Sequence, residues 1–344
     1  MRCGFRAAPT GRCHTSSMTS DTPARIERQL LPPPEDTTLP LFVYGNLKCG
    51  ELGHGRIDRL VDHLFPTSVE GVLWERDGMP LLTLRDEGLI AGELIWFKSD
   101  DGYRNVINFE PATHYRWARV ACTGQAGQLA NVLVAGASLE PARDGGDRLH
   151  EPWTTTRDPL FRYGLPAVAT AVRADGLVPF RTLGNDPNEW QRFFRLQSAY
   201  MLTCSILERL TLRVVPGKLD KVAASITALG RQKDFKNAVE QVGLQNWHRG
   251  VGRADRPTEA APLENRSDFA TWAYQVRSNI AHQGKSAWQE AELVRTTLID
   301  LHDVLRIYLL EKMPGFEQSW SEADPTAMDY HWRIKQSPEY LAVA

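Results

Sequence analysis

At Asn185-Asp186-Pro187 the hydrophobic period of this chain changes. From Leu41 to about Ser138 the apolar residues come in short runs rich in Val, Ile, Leu and aromatics: LFVY, SVEGVLW, GLIAGELIWF, YRWARVACTG and ANVLVAGA. Turn-formers such as RDGMP and KSDDG separate them, which is the pattern of strands. Beyond Pro187 the apolar spacing becomes three and four, the spacing of one helix face. A chain that switches period once reads as two units of the α+β class. A small mixed α/β unit comes first and an all-α bundle of four or five helices second.

The details follow the same logic. GELGHGRIDRLVDHL, with Ile57, Leu60, Val61 and Leu64 at spacings of three and four, predicts a helix inside the first unit. YRNVINFEP predicts a second, short one. Residues 139–186 open with the polar stretch EPARDGGDRLHEPWTTTRDP, and LPAVATAVRADGLVPF reads as a hairpin turning at Ala174-Asp175-Gly176. Asp186 and Pro187 start the first long helix, with a cap residue and then proline in the first turn. PGKLDKVAASITALG and KDFKNAVEQVG each end in glycine, a helix stop. Ser267 is placed as the cap of DFATWAYQVRSNIAHQG, and Ser286 to Gln289 form a capping box before the last long helix, which Pro314-Gly315 stops. The expected boundaries are 1–38 tail and linker, 39–140 first unit, 141–186 linker with the hairpin, 187–315 bundle and 316–344 tail.

Charge and cysteine content exclude some classes. The net charge of −2 over 344 residues gives no global field for nucleic acid or membrane. No apolar run approaches the roughly 18 residues of a membrane helix. The five cysteines (Cys3, Cys13, Cys49, Cys122 and Cys204) are odd in number and form no CxxC pair. They read as free thiols in a reducing compartment, so the expected location is cytoplasmic. MRCGFRAAPTGRCHTSS lacks the apolar core of a secretory signal. Met18 is the expected start of translation, with Met1 the alternative.

The first candidate site begins in LFVYGNLKCG. After a strand, the backbone N–H groups of Gly45, Asn46 and Leu47 can converge on an oxyanion or carboxylate. NFEPATHYRW sets Glu110 among Phe109, Pro111 and Tyr115, neighbours that desolvate a carboxyl and suit it to general acid–base work. These residues resemble the γ-glutamylcyclotransferase-like family. Its members open with a strand running into a Tyr-Gly-x-Leu loop, here Tyr44 to Leu47. A Gly-Glu-Leu strand follows, here Gly92 to Leu94, and then a glutamate before a tyrosine, here Glu110 and Tyr115. The likeness covers about residues 41–138. It departs from the family in having Arg116 directly after Tyr115, where members often show Tyr-x-Arg. The resemblance implies a closed, barrel-like mixed sheet and release of 5-oxoproline and a free amine from a small γ-glutamyl substrate. Glu110 would move the proton, and Tyr44, Gly45, Asn46, Leu47 and Tyr115 would hold the substrate. No cofactor or metal is implied.

The second candidate is WAYQVRSNIAHQG. Arg277 and His282 lie five residues apart, about 140° around a helix, so they share a face only loosely. A cation in a last helical turn also serves the helix dipole. The Arg-x4-His arrangement followed by a glycine and a long terminal helix resembles the HEPN superfamily of helical domains over about 187–313. That resemblance implies a homodimer that cleaves RNA without a metal, with His282 in acid–base chemistry and Arg277 on phosphate. Residues 205–256 carry ten Lys and Arg against five Asp and Glu, a candidate basic face. The leading functional expectation is the cyclotransferase. The alternative is ribonuclease action or RNA binding, with the first unit reduced to a ligand-binding or interaction module. His54, His302 and Cys49 read as a surface histidine, a helix histidine and a thiol without a partner base.

Overall fold

A computed structural model describes residues 31–76, 78–84, 87–110, 114–123, 127–136, 146–180, 186–215, 222–252, 260–283 and 290–324. It shows a mixed α+β protein with a sheet region followed by helices. Strand β1 (Leu41–Val43) is buried along its whole length. It lies at the middle of a five-stranded sheet with β2 (Val61–Glu70), β5 (Leu89–Phe97), β6 (Tyr115–Ala121) and β7 (Leu129–Ala135), in the order β2-β5-β1-β7-β6. β1 pairs antiparallel with β5 and parallel with β7. A second sheet is formed by β3 (Val72–Arg76), β4 (Met79–Thr83) and β8 (Asp147–Leu149), in the order β4-β3-β8.

No closed barrel forms among the described residues. The edge strands β2 and β6 approach each other only at one end, where Val69 bridges Cys122 and the Thr123 N–H donates to Ser68 O. The rest of each edge is open. The expected helix over GELGHGRIDRLVDHL is also corrected. Short 3₁₀ turns occupy His54–Arg56 and Asp58–Leu60, and β2 follows. Apolar spacings of three and four in so short a run do not outweigh a ladder of nine paired positions between β2 and β5. His63 stacks on Trp96 across that ladder, at 4.5 Å between ring centroids. Pro66 is tolerated because β2 is an edge strand. The expected short helix is present as α1 (Asp101–Phe109), crossing from β5 to β6.

The stretch expected to be a hairpin is helical instead. Leu160–Gly164 forms a π turn, α2 (Leu165–Ala171) continues it, and Val172–Gly176 is a second π turn. Leu165, Val168, Ala169 and Val172 are buried together, a spacing of three, one and three that belongs to one helix face. The polar stretch before it is not a free linker either. β8 pairs with β3, and Trp153 is fully buried in the core of the sheet region.

α3 (Pro187–Val214) starts where the sequence places it, with the Asp186 carboxylate accepting from the Asn188 N–H. α4 (Val222–Gly230) and α5 (Lys233–Val242) follow, the latter ending at Gly243 with φ of 66°. A two-residue ribbon, β9 (Val251–Gly252) and β10 (Ala260–Ala261), precedes α6 (Phe269–Gln283). The cap before α6 is Asn265, which forms a capping box with Asp268; Ser267 lies inside that turn. The expected Ser286–Gln289 box lies outside the described residues. α7 (Ala291–Lys312), where the last long helix was expected, runs through the bundle and buries most of its surface. The tail expected from residue 316 begins with α8 (Phe316–Ala323), whose buried Trp320 donates through Nε1 to Phe161 O. No described helix is long and apolar enough to cross a membrane.

Of the described cysteines, Cys49 is exposed, and Cys122 and Cys204 are buried. Burial pushes both buried thiols up, so the thiolate is scarce and access is blocked. Iodoacetamide on the native chain is expected to label Cys49 at least about tenfold faster than the other two, with all three labelled after unfolding. Peptide mass mapping checks this.

Candidate functional site

β1 carries the chain into the loop that begins at Tyr44. The Lys48 N–H donates to Gly45 O at 3.1 Å, and the Glu51 N–H donates to Lys48 O at 3.1 Å, so the loop winds as consecutive turns. Those turns leave the N–H groups of Gly45, Asn46 and Leu47 without a protein acceptor among the described residues. The loop is fixed from outside by side chains. Cys49 N–H donates to Glu93 Oε2 at 2.7 Å, Lys48 Nζ donates to Trp153 O at 2.8 Å, and His54 donates through Nδ1 to Leu47 O at 2.9 Å. Glu51 Oε2 accepts from both the N–H and the hydroxyl of Thr155, at 2.7 and 2.6 Å.

Gly45 needs no left-handed backbone. Its requirement is space, because a Cβ there would lie 2.7 Å from Pro80 Cγ, part of a rigid ring on β4. Gly45→Ala is therefore expected to cost about 1–3 kcal/mol, read as a lower midpoint in urea. The Asn46 side chain is already engaged within the loop. Its Oδ1 accepts from the Gly53 N–H at 3.1 Å and ties the ends of two turns.

Glu110 sits at the C-terminal end of α1. Its N–H still donates to Val106 O, while its own backbone is extended, at φ −86° and ψ 128°. That break turns the half-buried side chain away from the helix course. Glu110, Gly45, Asn46, Leu47 and Tyr115 line one pocket, together with the wall residues Tyr44 and Leu133. The cavity itself is small, about 50 Å³, and opens to solvent at its mouth. It is tighter than the roughly 300–1,000 Å³ usual for small-molecule sites.

The two tyrosines are walls whose hydroxyls already have partners. Tyr44 Oη donates to Leu133 O at 2.7 Å and lies 3.4 Å from the Leu82 N–H. Tyr115 Oη donates to Pro80 O at 3.3 Å. Burial pushes both phenols up, and the nearby Glu110 charge adds to the rise. Both stay protonated at working pH and do not serve as bases. The Phe109 side chain and Pro111, expected to desolvate Glu110, lie outside the described residues. Arg116 is exposed, while its neighbour Tyr115 is buried, as alternation along β6 requires. Arg116 does not line the pocket.

The pocket does contain an arginine, from an element far away in the chain. Arg213, in the last turn of α3, lines it beside Met79 and Pro80. The guanidinium is held by Asp158, which also takes Arg209: Arg213 Nη2 donates to Asp158 Oδ2 at 2.9 Å and Arg209 Nε donates to the same oxygen at 2.8 Å. Arg56, from the loop, donates to Leu212 O at 2.7 Å. The end of α3 thus packs on both the cavity and the loop that forms it. The Tyr44 motif points to the loop and Glu110, but no local spacing signals Asp158 or Arg213.

The second candidate site is not assembled in the same way. Arg277 Nη2 lies 3.6 Å from Glu208 Oε1 of α3 and its guanidinium stands over the Tyr274 ring, at 5.3 Å. Asn279 Nδ2 donates to Gly252 O. Ser278 lies half-buried between them, and His282 belongs to α6, with its side chain outside the described residues. Two of the ten basic residues counted in 205–256, Arg209 and Arg213, turn inward to Asp158 and do not form an exposed face. Among the described residues, no three His, Cys, Asp or Glu are grouped to hold a metal ion. His302 is buried in α7, with Nδ1 3.3 Å from Asp303 Oδ1. Compared with protein-family models, curated proteins and solved structures, the chain matches none.

Proposed function

We propose that the pocket between the Tyr44–Leu47 loop and Glu110 is the active site of a γ-glutamylamine cyclotransferase-type enzyme. One observation carries the reading. Glu110, at the end of α1, lines the same small cavity as Gly45, Asn46 and Leu47, more than sixty residues away in sequence, and the N–H groups of those three have no protein acceptor among the described residues. A proton carrier facing a cradle of donors is what intramolecular acyl transfer needs.

In this reading Glu110 takes a proton from the α-ammonium of the γ-glutamyl head. The freed nitrogen lone pair attacks the γ-carbonyl carbon, and the C=O π pair moves onto oxygen. The Gly45–Leu47 amides receive that oxyanion. The C=O bond then re-forms, the bond to the leaving nitrogen breaks, and Glu110 returns the proton to that nitrogen. The ring nitrogen, left cationic by the attack, gives its second proton to Glu110, which passes it to the departing amine. The products are 5-oxoproline and a free amine, and no water is consumed. The buried tyrosines exclude solvent and hold the strands that form the cavity.

The test is 5-oxoproline release by the full chain from a panel of γ-glutamyl amines and dipeptides. Release from at least one of them is expected, and none from the whole panel overturns the reading. The ribonuclease alternative draws no comparable support, since Arg277 is engaged by Glu208 and Tyr274 within the chain.

A further inference from the structure

We infer that Arg213 anchors the substrate's α-carboxylate, so that the helical region completes the cavity formed by the sheet region. The inference rests on the cyclotransferase reading and assigns a role that reading left open: the loop amides are reserved for the oxyanion. Arg213 is only 5% exposed, yet it lines the same pocket as Glu110 and the Gly45–Leu47 loop. Its Nη2 donates to Asp158 and to Met79 Sδ, at 2.9 and 2.8 Å. Its Nε is buried without a partner, and its Nη1 donates to no group among the described residues. The guanidinium also stands over the Trp153 ring, at 5.8 Å.

A guanidinium has five N–H donors, and leaving some unmet in a buried place is costly unless an anion arrives. Asp158 accepts from both Arg209 and Arg213, so it is not reserved for Arg213. Glu51 is near enough for Arg213 to act on its carboxyl, but both bonds to its Oε2 come from Thr155. Glu110 across the cavity disfavours a dianion such as phosphate. The group that fits is a single carboxylate, and a γ-glutamyl head carries one, on the carbon that bears the attacking amine. Arg213 and Glu110 would then hold the two substituents of that carbon from opposite sides.

The experiment compares binding of 5-oxoproline and its neutral carboxamide, 5-oxoprolinamide, to the full chain by calorimetry. The wild-type chain is expected to favour the acid by about 50-fold, the scale of hydrogen bonds to a charged group. Arg213→Met is expected to lose that preference while binding the amide as before. Arg213→Lys keeps a cation beside Asp158 and is expected to retain part of it. If Arg213→Met fails to fold, as a thermal melt would show, the lysine variant carries the test, with the preference expected to fall about tenfold. An unchanged acid-to-amide ratio in the folded variants overturns the anchor, as does equal binding, or none, by the wild-type chain. Turnover on the γ-glutamyl panel decides separately whether the cyclotransferase reading stands.

Discussion

Replacing Glu110 by glutamine is expected to lower kcat for 5-oxoproline release by about 10³-fold, with KM changed by no more than a few-fold. Glutamine keeps the size and one carbonyl acceptor of the carboxyl, but it cannot take a proton from an ammonium and return it to a leaving nitrogen. The loss therefore falls on the chemical step, while the loop amides and Arg213 still bind the head group. The fold should tolerate the change. Glu110 is half-buried at the end of α1, and the helix-ending hydrogen bond uses its backbone N–H, not its side chain. Tyr44 and Tyr115 are protonated with or without the Glu110 charge, because burial is the larger cause of their raised pKa values. Glu110→Asp, one methylene shorter, should keep the proton chemistry but misplace it, with an intermediate kcat. Steady-state kinetics on one γ-glutamyl amine, with a thermal melt for each variant, checks both. A glutamine variant with wild-type kcat would exclude Glu110 as the proton carrier.

Glu110 is legible in the sequence because it belongs to an ordered set of short motifs. The same holds for β1, β5, β6, β7 and the start of α3, where local pattern and tertiary structure agree. Two elements depart from their local pattern for different physical reasons. The stretch leading into β2 has helix-like spacings at Ile57, Leu60, Val61 and Leu64, but from Val61 on the conformation is decided by pairing with β5, where Val61 meets Phe97 and Leu64 meets Ile95. α2 carries a helical signal, since Leu165, Val168, Ala169 and Val172 fall on one helix face. The Ala174-Asp175-Gly176 turn signal competes with it, and that tripeptide sits within the closing π turn. Trp153, Asp158 and Arg213 are illegible as site residues for a third reason. They lie in or beyond a stretch that reads as a linker; Arg213 lines the cavity and Trp153 and Asp158 hold Arg213, all through packing between distant parts of the chain. A buried arginine in a helix looks, in sequence, like any exposed one.

That packing makes Asp158 the residue whose loss should cost the fold most. Its side chain is fully buried; Oδ2 accepts from Arg209 and Arg213, and Oδ1 accepts from the Leu160 N–H at 3.2 Å. The tip of the β3–β4 hairpin rests on the same spot: a Cβ at Gly78, where φ is +73°, would lie 3.0 Å from Asp158 Cα and 2.3 Å from Pro159 Cδ. Asp158→Asn keeps the shape and the Leu160 bond but removes the charge, leaving the Arg213 guanidinium buried without its counter-ion. Breaking a buried pair from one side costs about 3–5 kcal/mol, a large share of the roughly 5–15 kcal/mol that stabilises a typical domain. A fall of that size in urea unfolding free energy is expected, and a change under about 1 kcal/mol would mean that solvent or another group already compensates Arg213. Asp158→Leu combined with Arg213→Met should be less damaging than the sum of the two single changes, because the pair is removed together and apolar side chains fill its place. The anchor role predicts an opposite effect on binding. In Asp158→Asn molecules that remain folded, Arg213 has lost a competitor for its donors, so acid-over-amide preference should persist or rise while stability falls. A guanidinium that served only to hold α3 against the sheet region would show the loss of stability with no acid preference to preserve.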